Sequence, residues 1–102
     1  MEHVVILCTC PRGEARDIVR ALLDERLIAC ANLAGVTSLF AWQDDVEEAK
    51  ETLLVMKTTR EHWPALRDRI LELHSYDVPE VLMLPVGDGS AGYLAWLDGV
   101  VA

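Results

Sequence analysis

Leu7-Cys8-Thr9-Cys10-Pro11 carries two thiols at a spacing of two. In an extended strand residues i and i+2 share a face, so Cys8 and Cys10 project to one side and Thr9 to the other. Thiolates suit a soft ion such as Cu(I). Zinc wants four ligands, or three and a water, and a redox pair wants C-x-x-C at a helix start. The other reading makes both cysteines small core residues, since free cysteine is among the most buried types. The residues alone favour packing, and the same holds for Cys30 inside the apolar run Ala29-Cys30-Ala31-Asn32-Leu33.

His74 falls near the end of a helical pattern, where the helix dipole stabilises an imidazolium and where a capping role is equally open. Tyr76, Asp77 and Glu80 follow it and could serve acid-base chemistry. Lys57 ends the run Leu53-Leu54-Val55-Met56. A lysine there meets a carboxylate or an anionic ligand, or else snorkels to the surface. Trp42, Trp63 and Trp96 read as core or interface anchors, and His3 and His62 as solvated. The chain holds no G-x-S-x-G, G-x-x-x-x-G-K-[ST] or H-E-x-x-H motif, so the sequence points away from an enzyme.

These residues need elements to position them. Val4 to Leu7 is a continuous apolar run suited to a central strand. Ala15, Ile18, Val19, Leu22, Leu23 and Leu27 recur at helical spacing and predict an amphipathic helix from about Arg12 to Arg26. Two long strands follow, Ala29 to Trp42 with a bend or bulge at Gly35, and Val46 to Lys57. Gln43-Asp44-Asp45 turns between them into a hairpin. Its charged outer half (Glu47, Glu48, Lys50, Glu51) is expected to project from the body. Thr58 and Glu61 suggest a capping box before a helix marked by Trp63, Leu66, Ile70 and Leu73. Val78 to Val86 reads as a fourth strand, and Ser90 as the cap of a last helix. The order β-α-β-β-α-β plus a helix predicts an α+β, ferredoxin-like fold in one domain over residues 1–102.

Bulk properties narrow the partners. A chain of 102 residues that is 52% apolar invites burial against copies of itself. A net charge of -8 with no basic run argues against nucleic acid and anionic membranes. Three cysteines and an N-terminus without a signal pattern predict a cytosolic chain with reduced thiols.

Six blocks then carry a resemblance. They are Leu7-Cys8-Thr9-Cys10-Pro11, Arg26 to Leu33, Phe40-Ala41-Trp42, Leu53 to Thr59, His74 to Val81, and Tyr93 to Leu97. In order and spacing they resemble the CutA divalent-cation-tolerance family nearly end to end. The resemblance implies a homotrimer joined through sheet edges by the long hairpins, binding copper or other divalent ions, with no tightly bound cofactor. The positions matching the family's proposed metal ligands are Cys8, Cys30 and His74. An inter-subunit cleft would gather Trp42, Lys57, Tyr76 and Glu80. The fold is shared with PII-type signalling proteins, so the alternative is a sensor of a small anionic ligand with Lys57 as counter-charge. Ser75, Asp77 and Asp44 depart from the family, which commonly has proline, glutamate and glycine there. Those changes imply a less rigid loop and an altered hairpin tip.

Overall fold

The computed structural model describes residues 2–102. A four-stranded antiparallel sheet has the order β2-β3-β1-β4, formed by β1 (His3–Pro11), β2 (Cys30–Trp42), β3 (Asp45–Thr59) and β4 (Val81–Pro85). Helices α1 (Ala15–Asp24) and α2 (Trp63–Leu73) are each entered through a short 3-10 turn, and α3 (Ala91–Val101) closes the chain.

Strand alternation builds the core. Val4, Ile6, Cys8 and Cys10 of β1 and Leu54 and Met56 of β3 are buried on one face, where Ile18 and Leu22 of α1 and Leu66 and Ile70 of α2 pack. Both thiols therefore share the core face, as their spacing required. The other face is covered in part by α3, whose Leu97 and Val101 bury Ala29. His3 bonds Asp98 of α3 at 2.8 Å, so it is an anchor rather than the solvated residue its position suggested. His62 is likewise held, 2.6 Å from the Thr59 hydroxyl.

Local chemistry moved several boundaries. The first helical stretch ends at Asp24, because Leu27 N–H bonds Leu22 O and Arg26 N–H bonds Leu23 O around Arg26 at φ 57°. This pattern satisfies orphan helix carbonyls through one left-handed residue. The β2–β3 register runs unbroken from Cys30↔Lys57 to Trp42↔Asp45, so Gly35 makes no bulge. Instead the Arg12 guanidinium lies against it, with Nη2 3.4 Å from where a Cβ would stand. The capping box does not form: Thr58 belongs to β3 and its hydroxyl donates to Leu27 O at 2.7 Å. Ser90 holds the N-cap position of α3, yet its side chain makes no capping bond. The fourth strand begins only at Val81, since residues 74–80 form a loop across the end of β1. Trp42 and Trp96 are half-exposed rather than core, at 50% and 48%.

Candidate functional site

The β2–β3 hairpin and the loop after α2 enclose the larger cavity, of about 1000 Å³. Five carboxylates line it: Glu47, Glu48 and Glu51 from β3, and Asp77 and Glu80 from the loop. Phe40, Trp42 and Tyr76 supply aromatic walls, and none of the described lining residues is basic. Such a concentration of one sign raises the local density of cations.

The loop is fixed by three bonds. His74, 7% exposed, ends α2; its Nε2 lies 2.7 Å from Thr9 O, and Tyr76 N–H donates to Nδ1 at 3.1 Å. These partners fix the tautomer, with the proton on Nε2 and the Nδ1 lone pair already used. Ser75 donates to Glu14 at 2.8 Å, which tethers the loop to the turn before α1. Tyr76 in turn donates from its hydroxyl to Glu51 at 3.0 Å. Burial, and then this bond, push the Tyr76 hydroxyl above the usual phenol range.

Glu51 is 4% exposed, so this part of the hairpin does not project as its charge suggested. A signal was available. Glu51 shares strand parity with Leu53, Val55 and Lys57, the residues that lie over the domain's second face. Glu47 and Glu48 were missed as site residues because charge near a hairpin tip reads as solvation.

The metal candidates do not converge within one chain. Cys8 lies in the core between sheet and helices, whereas Cys30 pairs with Lys57 on the opposite face and sits 3.1 Å from the Tyr93 hydroxyl of α3. Burial pushes the Cys8 thiol up to about 12 and Cys10 up to about 11, which leaves both protonated and unreactive at neutral pH. The contact with Cys30, and then burial, push Tyr93 up to about 12. Among the described residues no three His, Cys, Asp or Glu groups are close enough to hold one metal ion. Of the cleft candidates, Trp42, Tyr76 and Glu80 share the acidic cavity, but Lys57 does not line it. Lys57 is six strand positions from Glu51, roughly 20 Å. Its ammonium bonds Asn32 and, at 3.3 Å, Val55 O.

Residues 4–100 match the model of a family described as CutA1 divalent ion tolerance protein. The chain belongs to the CutA1 family. A CutA1 relative from Thermus thermophilus, a divalent-cation tolerance protein, is 45% identical over 98 residues, 95% of each chain. The solved CutA of Archaeoglobus fulgidus, named a periplasmic divalent cation tolerance protein, superposes with a TM-score of 0.96 at 34% identity, covering 98% of this chain and 99% of its own. CutA1 from Oryza sativa gives a TM-score of 0.96 at 32% identity, over 100% and 95% of the two chains. The four-stranded sheet and three helices of this CutA1 chain are thus the architecture of its relatives. Among the described residues no helix is long and apolar enough to cross a membrane.

Proposed function

We propose that this CutA1-family chain acts as a cytosolic, ferredoxin-like homotrimer that binds divalent cations or copper and contributes to the response to metal ions, without catalytic turnover. The observation that carries the reading is the cavity lined by five carboxylates beside Tyr76, which concentrates cations although no three of its groups converge on one ion within the described residues of a single chain. Carboxylate oxygens suit hard divalent ions, whereas buried protonated thiols do not compete well for them. Cys8 and His74 fit a ligand role poorly as arranged, because one is a protonated core thiol and the other has both nitrogens engaged. Cys30, half-buried beside Tyr93, is the thiol better suited to Cu(I).

Assembly is supported by uncovered apolar surface. Leu82 and Leu84 of β4 are 53% and 43% exposed on the sheet face opposite α1 and α2, and Tyr93 and Trp96 of α3 are also half-exposed. The outer edge of the 13-residue strand β2 pairs with no strand of the described chain. Long bare edges and apolar patches of this kind are normally covered by partner chains.

The test is an anaerobic titration of the reduced protein with Cu(I), Cu(II) and Zn(II), with light scattering to follow the assembly. A Glu47→Gln/Glu48→Gln/Glu80→Gln variant is compared with Cys8→Ala, Cys30→Ala and His74→Ala. Loss of Zn(II) and Cu(II) binding in the carboxylate variant, with the trimer mass intact, supports the cavity. Binding unchanged there but abolished by Cys8→Ala, or a monomeric mass for the native protein, overturns the corresponding part of the reading.

A further inference from the structure

A second, smaller cavity of about 240 Å³ lies on the helix side of the sheet, at the start of the helical segment that follows β1. Arg12, Ala15 and Arg16 border it from that segment, and Leu33, Gly35 and Thr52 from β2 and β3. We infer that this cavity binds a compact tetrahedral oxyanion, such as inorganic phosphate or the phosphate group of a monoester, through Arg12, Arg16 and Thr52.

Four observations carry the inference. First, two guanidiniums face one small space in a chain of net charge -8, and neither forms an ion pair with a carboxylate among the described residues. Glu14, two positions from each arginine, already accepts the Ser75 hydroxyl at 2.8 Å, and Asp17, adjacent to Arg16, pairs with neither. Second, Thr52 is only 9% exposed, and its hydroxyl has no partner in the hydrogen bonds of the described residues. No fully enclosed side-chain oxygen lacks a partner there, so the Thr52 oxygen keeps its access to the cavity it lines. Third, the N-terminal turns of this helical stretch have no side-chain cap at either Pro11 or Glu14, which leaves N–H groups and the positive end of the ten-residue α1 beside the cavity. Fourth, the Arg12 guanidinium rests on β2 at Gly35, with Nη2 3.4 Å from where a Cβ would stand. Guanidinium forks match tetrahedral oxyanions bidentately. The site lies apart from the acidic cavity and shares none of its lining residues.

The experiment is an NMR titration of the intact protein with inorganic phosphate, in chelator and at constant ionic strength balanced by chloride. Methyl phosphate and acetate form parallel arms. Saturable shifts are expected at residues 12–16, 35 and 52, with a dissociation constant on the order of millimolar. Arg12→Gln/Arg16→Gln is expected to weaken binding at least ~10-fold, and Thr52→Val by about 3-fold. The Arg12→Lys/Arg16→Lys variant is expected to retain part of the affinity. Both arginines are exposed, so the folded spectrum should survive their replacement. Methyl phosphate binding alongside phosphate extends the site to monoesters. Shifts that chloride or acetate reproduces, or phosphate affinity unchanged in the double glutamine variant, overturn the inference. Because the titration contains chelator, its failure leaves the metal reading untouched.

Discussion

His74→Ala separates an anchoring histidine from a metal-binding one. The imidazole is 7% exposed and holds Thr9 O at 2.7 Å and Tyr76 N–H at 3.1 Å. Each such bond contributes about 1 kcal/mol net, and truncating the buried ring removes roughly 1 kcal/mol of apolar burial. The variant should therefore be about 3 kcal/mol less stable. With a urea m-value of about 1.5 kcal/mol/M, its midpoint should fall by about 2 M. His74→Gln can still donate to Thr9 O but offers Tyr76 N–H no acceptor in the same place, so about half of the loss is expected. Equilibrium urea unfolding at one fixed protein concentration provides the measurement, since an oligomer's midpoint depends on concentration. Zn(II) and Cu(II) titrations of the folded variants accompany it. An unchanged midpoint together with lost metal binding would refute the anchoring role and make the ring a ligand.

The remaining predictions concern thiols and strained turns. Cys30 should react with a thiol reagent before Cys8 and Cys10, which should react only on unfolding, as timed labelling with and without denaturant would show. Both core thiols are raised from 9.0, to about 12 and about 11, so the folded state holds their protons more tightly. Their contribution to stability is complete below pH 9 and is lost as pH rises from there toward 12. Urea midpoints between pH 8 and 11 should accordingly fall less steeply in a Cys8→Ala/Cys10→Ala variant. Arg26 at φ 57° and Asp44 at φ 63° occupy left-handed backbone, which costs an L-residue roughly 1 kcal/mol or more. Arg26→Gly and Asp44→Gly should each raise the thermal midpoint; no rise in either would mean that contacts of the side chain offset the strain.

Much of the fold was legible because strand parity and helical spacing are local. Val4, Ile6, Cys8 and Cys10 alternate into the core, and Ile18, Val19 and Leu22 face it at helical spacing. The hairpin was readable from its polar turn, which takes the two-residue form at Gln43 and Asp44, both at positive φ. Residues whose roles depend on a distant partner were less legible. Thr58 resembled a helix cap until Leu27, 31 positions away, claimed its hydroxyl. Gly35 resembled a bulge, yet β2 pairs with β3 without interruption through Gly35↔Thr52.

The same division runs through the site. Sequence alone determined that Cys8 and Cys10 share a face, that His74 closes a helix, and that Tyr76 follows it in a loop, because each follows from spacing along one element; Glu80 was read inside a strand from Val78, and only the structure places it in that loop. Only the tertiary structure decided that Cys8 and Cys30 lie on opposite faces of the sheet, since that depends on how β1 and β2 register through β3. It also decided that Glu51, 25 residues from Tyr76 in sequence, accepts its hydroxyl across the acidic cavity. Antiparallel pairing transmits parity from strand to strand, and a change of pairing by one residue would have turned every one of those side chains to the other face.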